Sequence, residues 1–206
     1  MSMTPPPLCI PGRNQVKDVS RVWAESFADY PLYTYTLPDP GNRVELLQVI
    51  FEVVATYAMR YAKLFATSER LEGVMGYLPA DAIHVSSLRM LKSGAFKIPL
   101  KVGRMFLKRL MSVTKHFEHL RAKHANFPHI YLWNVGVQPS LKGQGYGSRL
   151  IRSLLYDLMP RNKPCYLETV LESNVRIYEH LGFQVMEKCE IPEAHMTTWA
   201  MLWQNL

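Results

Sequence analysis

The chain has 206 residues, of which 48% are hydrophobic, and carries a formal net charge of +7. Three cysteines without CxxC spacing argue against a disulfide framework and a zinc site, and no apolar run reaches the roughly 18 residues that cross a bilayer. The proline-rich start resembles neither a secretory signal nor a transit peptide. We therefore expect a cytoplasmic protein with one domain over residues 1–206.

The first third of the chain predicts two helices and then two short strands. Apolar residues recur at helical spacing from Val16 to Phe27, so a first helix is expected over residues 14–28, ending before an aromatic stretch at residues 30–35. A second helix is expected from Leu46 to Tyr61. Strands should follow near residues 64–67 and 73–78.

The segment from about residue 82 to 124 lacks strand alternation and predicts a helical insertion of two or three helices, interrupted at Gly94 and Pro99. Between residues 92 and 123 it contains nine Lys or Arg residues and one Glu. On a single helix, five of these cations would form one narrow basic stripe: Lys97, Lys101, Arg104, Lys108 and Lys115. Apolar residues would occupy the opposite arc, with Arg109 out of place among them, so the expected helix is amphipathic and cationic.

From residue 129 onward, strand and helix patterns alternate. Strands are expected over residues 129–137, 164–170, 183–190 and 197–203, and helices over residues 145–159 and 173–181. This alternation predicts an α/β (α+β layered) core with at least one parallel pair of strands.

A glycine-rich run, Lys142-Gly143-Gln144-Gly145-Tyr146-Gly147, stands where the first of these strands meets the next helix. Its glycines let a ligand approach the backbone, and the helix N-terminus favours an anion. Such turns also arise for packing alone. Gly147-Ser148-Arg149 excludes a Walker motif, and a dinucleotide fingerprint fits poorly without being excluded, because Glu168 lies at about the spacing that it needs.

A second block follows: Tyr166-Leu167-Glu168-Thr169, then Asn174, then Tyr178-Glu179-His180-Leu181-Gly182-Phe183. With the glycine-rich run, it resembles the GNAT superfamily of N-acetyltransferases over residues 14–203, most specifically over residues 131–187. Lys142 departs from the family's Gln or Arg at the first motif position; it keeps the charge of Arg without the planar fork. The resemblance implies a GNAT-like central mixed sheet flanked by helices, and acetyl transfer from acetyl-CoA to an amine without a metal.

The resemblance also implies roles for particular residues. The amide of Val135 should polarise the thioester carbonyl, and Tyr178 should protonate the departing CoA thiolate, although it also fits a packed aromatic. Glu168 is the candidate base, or else makes a structural hydrogen bond. Acceptor-binding candidates are Tyr30, Tyr33, Tyr35 and His195, which also fit core packing or an exposed loop. The residues expected at the cofactor are Val135, Gly136, Val137, Lys142, Gly143, Gln144, Gly145, Tyr146, Gly147, Ser148, Asn174 and Tyr178.

The expected acceptor is a primary amine on a small molecule, with a protein lysine or N-terminus as the alternative. The basic insertion hints that the acceptor is anionic, but it also fits a solvated helix face. An alternative is a non-catalytic CoA-binding or nucleic-acid-binding module that uses the basic stripe. We expect no nucleic-acid and no membrane partner, while association of the same helix with an anionic membrane surface and a homodimer are left open. His116, His119 and His124 lack the carboxylate or cysteine that would complete a metal site.

Overall fold

The computed structural model describes residues 7–160 and 163–204. Its centre is a six-stranded sheet in the order β1-β2-β3-β4-β6-β5. All neighbouring strands are antiparallel except β3 and β4, which are parallel. The predicted mixed sheet with a parallel pair is therefore confirmed. The strands are β1 (Lys63–Ala66), β2 (Gly73–Leu78), β3 (Ile130–Val137), β4 (Cys165–Thr169), β5 (Gln184–Ile191) and β6 (Met196–Trp203).

Helices cover both faces of the sheet. Adjacent residues of β3 show this, because Gly136 lies against Trp23 of the first helix whereas Val137 lies against Gly147 of the helix after the glycine-rich run. Successive residues of a strand point to opposite faces. The α-helices are α1 (Val16–Phe27), α2 (Pro31–Thr36), α3 (Arg43–Tyr61), α4 (Ser87–Lys92), α5 (Lys97–Lys101), α6 (Arg104–His124), α7 (Tyr146–Ser153) and α8 (Glu172–His180).

Helix α1 comes unusually close to the sheet at Trp23. This side chain is fully buried, and its indole nitrogen donates a hydrogen bond to the Val74 carbonyl oxygen at 3.2 Å. A Cβ atom at Gly136 would lie 2.7 Å from the Trp23 ring. Glycine at position 136 is therefore required by packing, because any side chain would displace the indole.

The aromatic stretch at residues 30–35, placed outside the first helix by the sequence analysis, forms α2. Pro31 begins this short helix, a position where the missing N–H of proline costs nothing. Arg43 then anchors the connection to α3. Its buried guanidinium donates to the carbonyl oxygens of Leu37 at 2.7 Å, Pro38 at 3.0 Å and Ala28 at 3.2 Å.

The insertion forms three helices, but the predicted break at Pro99 is wrong. Pro99 lies in the first turn of α5, where proline is tolerated, and the chain breaks at Gly103, whose φ of +105° ends α5 before α6 starts. Lys97 and Lys101 are therefore on α5, whereas Arg104, Lys108 and Lys115 are on α6. The predicted single-helix basic stripe is wrong for the same reason.

The helix expected over residues 145–159 is regular only as far as Ser153. Residues Leu154–Leu158 continue it as a wider π-helical turn. Leu154 and Leu155 are both buried in this turn, against the core beneath α7.

Candidate functional site

The two parallel strands of the sheet separate after a short stretch. They are paired only at Ile130 with Cys165 and at Tyr131 with Tyr166. Beyond these pairs, β3 stays with β2 as far as Val137, and β4 stays with β6 as far as Thr169. The sheet therefore opens between β3 and β4, and from Leu132 onward one edge of β3 has no strand partner within residues 7–160 and 163–204.

The direction of the β3 backbone groups follows from the residue after the strand. The amide of Gln138 donates to the Glu72 carbonyl oxygen on the β2 side at 2.9 Å. Because backbone groups alternate along a strand, those of Val135 and Val137 point the other way, into the opening. The Val137 amide there donates to the hydroxyl of Ser26 on α1 at 3.2 Å. The Val135 amide is thus directed into the opening, as its expected role requires.

The glycine-rich run bends tightly where β3 leads into α7. Gly143 and Gly145 have φ values of +81° and +83°, and a Cβ atom at either would meet no atom within 4 Å. Gly145 precedes the first residue of α7, so the amides of Tyr146, Gly147 and Ser148 form the first helical turn and lack intrahelical carbonyl partners. These amides and the helix dipole favour an anion at this terminus, and the exposed Lys142 adds a full positive charge nearby.

Asn174 and Tyr178 lie on α8, which follows β4. The helix starts at Glu172 without a side-chain cap, so Asn174 does not cap it. Asn174 instead donates its side-chain amide to the hydroxyl of Thr169 at the end of β4, at 3.4 Å.

The Tyr178 ring packs edge-on against Phe183, with ring centroids 5.5 Å apart. Tyr178 and Val135 pack against the same core cluster, which brings the two predicted residues to one side of the sheet. Burial raises the pKa of Tyr178 well above its usual range, so the hydroxyl stays protonated at neutral pH. Among the described residues it has no hydrogen-bond partner, and it is chemically suited to donate a proton.

Glu168 lies near the end of β4, on the face of the sheet that α6 covers. One carboxylate oxygen accepts a hydrogen bond from the Tyr131 hydroxyl at 2.8 Å, and the other is buried without a partner among the described residues. Burial raises the pKa of Glu168 from 4.5 to about 7, an increase that the Tyr131 hydrogen bond and the positive charge of Arg121 partly oppose. A carboxylate with this pKa can accept a proton near neutral pH.

The tyrosines expected at the acceptor site differ in their surroundings. The Tyr30 hydroxyl accepts a hydrogen bond from the Val170 amide at 3.1 Å, so it lies at the end of β4 beside the opening. Tyr33 is 8% exposed, and its ring packs edge-on against Phe51, 5.5 Å between centroids. The Tyr35 ring lies under the guanidinium of Arg109 at 5.5 Å, which explains the basic residue that appeared out of place on the insertion.

His195 lies in the connection between β5 and β6, with a left-handed backbone (φ +48°) and an exposed side chain. This connection is at the same end of the sheet as Thr169, because β6 begins at Met196 and pairs antiparallel with β4. His195 therefore lies at the same end of the sheet as Thr169, and no hydrogen bond or ion pair among the described residues joins it to Glu168 or Tyr178. The roles of Tyr30, Tyr33, Tyr35 and His195 at an acceptor stay predictions.

The histidines His116 and His124 of α6 have different partners. His116 lies 3.5 Å from the thiol of Cys189, whereas His124 pairs with Glu187 of β5. Within residues 7–160 and 163–204, no group of three His, Cys, Asp or Glu side chains is arranged to hold a metal ion.

Three site neighbours were not identified from the sequence. The Tyr131 hydroxyl donates a hydrogen bond to Glu168, and the Ser26 hydroxyl accepts one from the Val137 amide. The guanidinium of Arg121 lies over the Tyr131 ring, 4.6 Å from its centroid. Of these three, only Tyr131 could have been identified from the sequence, because the strand that pairs parallel with β4 places side chains beside Glu168. Ser26 and Arg121 come from helices whose contacts with the sheet depend on tertiary packing.

Comparison with known proteins relates this architecture to acetyltransferases. Residues 110–185 match the model of the acetyltransferase (GNAT) domain, which includes β3, the glycine-rich run, β4 and α8.

Solved structures match nearly the whole chain at low identity. "Histone acetyltransferase HPA2 and related acetyltransferase" from Corynebacterium glutamicum has a TM-score of 0.67 at 17% identity, covering 98% of both chains. Arylalkylamine N-acetyltransferase 2 from Aedes aegypti has a TM-score of 0.63 at 15% identity, covering 96% of this chain and 98% of its own. The polyamine N-acetyltransferase of Drosophila melanogaster, which forms N-acetylagmatine, has a TM-score of 0.56 at 15% identity, covering 97% and 99%.

These structures establish the fold, and the family model matches the segment that carries the glycine-rich run and Glu168. The GNAT-like mixed sheet expected from the sequence is thereby confirmed. Residues 110–185 are thus similar to the GNAT acetyltransferase domain, and the chain shares its fold with solved acetyltransferases.

Proposed function

We propose that the protein transfers an acetyl group from acetyl-CoA to the amino group of a small molecule. The observation that carries this proposal is the opening between β3 and β4. The glycine-rich run and α7 flank the opening on one face of the sheet, whereas Glu168 lies on the other face. An acetyl donor and an amine that entered from opposite faces would meet in the opening.

The residues around the opening fit acetyl-CoA. The first-turn amides of α7 and Lys142 would hold the pyrophosphate, and the open surface over Gly143 and Gly145 leaves room for it. The free edge of β3 offers backbone groups to the amide-containing pantetheine arm, with Asn174 at its side. When bound, acetyl-CoA supplies the acetyl group as an activated thioester.

Glu168 is the proposed base. An amine is protonated at neutral pH and must lose a proton before it attacks. With a pKa of about 7, the Glu168 carboxylate is present in a large fraction of molecules at neutral pH and is still basic enough to accept the proton. Tyr131 orients the carboxylate and, as a hydrogen-bond donor, favours its ionised form.

Val135 and Tyr178 act on the other reaction partner. The Val135 amide donates a hydrogen bond to the carbonyl oxygen that gains negative charge during attack. Tyr178 gives its proton to the sulfur that leaves, since its hydroxyl is protonated at neutral pH. Both residues pack against one core cluster, which supports a shared site.

Several features concern the acceptor and the setting of the reaction. Proteins of the same fold include enzymes named for arylalkylamines and for polyamines, which supports an amine acceptor here. Tyr30, Tyr33, Tyr35 and His195 are proposed to bound the acceptor site. We propose that the reaction takes place in the cytoplasm and that residues 1–206 form one domain.

The decisive experiment is an acetylation screen of arylalkylamines, polyamines, aminoglycosides and peptides. The acetylated product should be measured by mass spectrometry, because the protein's own free thiols would react in an assay for released CoA. With a good acceptor, kcat/KM should rise between about pH 6 and 8, since the pKa of Glu168 is about 7 and the ionised form is the active one.

Two variants test the assignment of the base. Glu168→Gln should lose the part of this pH dependence that does not come from the amine itself. Tyr131→Phe removes a donor to the carboxylate, so the pKa of Glu168 should increase and the rise in kcat/KM should move to higher pH. An unchanged pH profile in both variants would assign the proton transfer to another group or to water.

The same screen separates the catalytic from the non-catalytic hypothesis. Acetyl-CoA binding without product from any acceptor class would favour a CoA-binding module. Binding of NAD in place of acetyl-CoA would contradict the proposed function altogether.

A further inference from the structure

The helical insertion exposes apolar side chains to solvent. Five of them within 18 residues of chain are between 54% and 81% exposed: Leu88, Leu91, Phe96, Leu100 and Met105. Leu88 and Leu91 lie one turn apart on α4, and Phe96 and Leu100 one turn apart across α5. Clustered exposed apolar side chains of this size mark interaction sites on soluble domains.

The orientation of α5 and α6 explains this exposure. Ile98, the inward residue of α5, is 5% exposed, and Phe96 and Leu100 lie two positions away on either side, pointing outward. On α6, Phe106 and Val113 are buried, while Arg104 and Lys108 point to the opposite side. Apolar and cationic side chains therefore share the solvent side of these helices.

The charged side chains that the insertion contributes to this surface are all basic. No Asp or Glu occurs from Ala82 to Phe117. Arg109 points inward to the Tyr35 ring and its carbonyl oxygen. Five exposed cations have no ion-pair partner among the described residues: Lys92, Lys97, Lys101, Arg104 and Lys108. We call these cations and the five exposed apolar residues the basic apolar surface.

We propose that the basic apolar surface binds the face of an anionic lipid bilayer. The apolar tips would lie at the boundary of headgroups and acyl chains, and the cations at the lipid phosphates and carboxylates. No helix among residues 7–160 and 163–204 is long and apolar enough to cross a bilayer, so the association concerns the membrane surface. This proposal departs from the expectation of no membrane partner and develops the association with an anionic membrane surface that the sequence left open.

The composition of the surface distinguishes this partner from two others. Nucleic acid would pair with the cations but would gain little from Leu91, Phe96 and Leu100. A second copy of the chain on the same surface would bring like charges together across a twofold axis. An anionic bilayer satisfies both kinds of side chain at once.

The test uses the full chain with sedimented vesicles of phosphatidylcholine, with and without 30% phosphatidylserine, in 0.15 M salt. We expect binding to the anionic vesicles at least tenfold tighter than to the neutral ones, weakened at 0.5 M salt. Lys101→Gln with Lys108→Gln should weaken binding roughly 25-fold, because each cation near such a surface contributes about fivefold. Phe96→Ser with Leu100→Ser should weaken it roughly tenfold.

Matched controls lie elsewhere on the molecule. Ile10→Ser with Met186→Ser removes exposed apolar side chains, and Lys63→Gln with Arg152→Gln removes exposed cations; both should bind as the parent does. Each variant is checked for an unchanged circular-dichroism spectrum.

Three outcomes would overturn the proposal: equal binding to neutral vesicles, variants of the surface that bind as the controls do, or no vesicle binding beside tight binding of RNA or duplex DNA. A dimer in solution that Phe96→Ser with Leu100→Ser dissociates would also overturn it, since the surface would then be covered by a second copy. None of these results depends on acetyl transfer.

Discussion

The buried carboxylate of Glu168 should make the protein less stable as the pH rises. Its pKa is raised from 4.5 to about 7, so between these values the folded protein holds a proton that the unfolded chain has released. The free energy of unfolding therefore falls as pH rises through this window, and the loss is complete above about pH 7. At 1.36 kcal/mol per pKa unit, the total is about 3 kcal/mol as an upper bound.

The perturbation that isolates this contribution is Glu168→Gln. Glutamine has the shape of the protonated acid, keeps an acceptor for the Tyr131 hydroxyl and has no charge to bury. Urea unfolding of parent and variant at pH 4, 5, 6, 7 and 8 measures the difference. Relative to the parent, the variant should gain up to about 3 kcal/mol between pH 4 and 8, with most of the gain reached by pH 7.

A matched control is Glu118→Gln, which alters an exposed carboxylate on α6 that has no ion pair among the described residues. Its difference from the parent should stay within about 0.5 kcal/mol over the same range. A pH-independent difference for Glu168→Gln would refute the reasoning, because the carboxylate would then be as well solvated in the folded protein as in the unfolded chain.

Three further predictions concern the cofactor site and the core. Tyr178→Phe keeps the ring but deletes the proton donor, so steady-state kinetics should show kcat lower by roughly 10- to 1,000-fold, with acetyl-CoA affinity by calorimetry nearly unchanged. Gly145→Asp should abolish acetyl-CoA binding and the stabilisation of roughly 2.7 kcal/mol expected at 100 times the dissociation constant, whereas Gly145→Asn, which tolerates the left-handed backbone without a charge, should retain binding. Gly136→Ala should lower the free energy of unfolding in urea by about 1–3 kcal/mol, because the new Cβ would meet the Trp23 ring at 2.7 Å; a neutral effect would mean that the ring can move aside.

Local chemistry explains why much of the fold was predictable. The strands and helices from residue 129 onward follow period-two and period-3.6 apolar patterns, and the glycine-rich run marks their connection. Helix α2 was missed because Tyr33 and Tyr35 favour extended backbone by propensity, whereas Pro31 at its start and burial against Phe51 stabilise the helix.

The insertion was less predictable, since two signals for a break compete within it. Pro99 is a stronger breaker than Gly103 in a helix interior, but it lies in a first turn, where its missing N–H is harmless. The outward side of α5 was also hidden from the sequence. Leu100 has the character of a core residue, and only the packing of Ile98 determines that it faces solvent.

The candidate site was predictable where backbone chemistry defines it and less so where side chains from distant elements meet. Val135 lies on the strand before the glycine-rich run, Gly145 lies within the run and Tyr178 lies in the second motif block. Each could therefore be predicted from local sequence. The raised pKa of Glu168 depends instead on burial beneath α6, about 50 residues earlier in the chain, and on Tyr131 and Arg121. No local pattern encodes that environment.

The anchor at Arg43 has a consequence for how this protein can be diversified. The guanidinium holds the connection around α2 through main-chain carbonyl oxygens of Ala28, Leu37 and Pro38, which every amino acid provides. Substitutions between these contacts can therefore alter the shape and polarity of the neighbouring surface while the chain path is retained. Random libraries confined to the solvent-facing positions of residues 28–38, with Arg43 kept, should yield a larger folded fraction than libraries that also vary position 43.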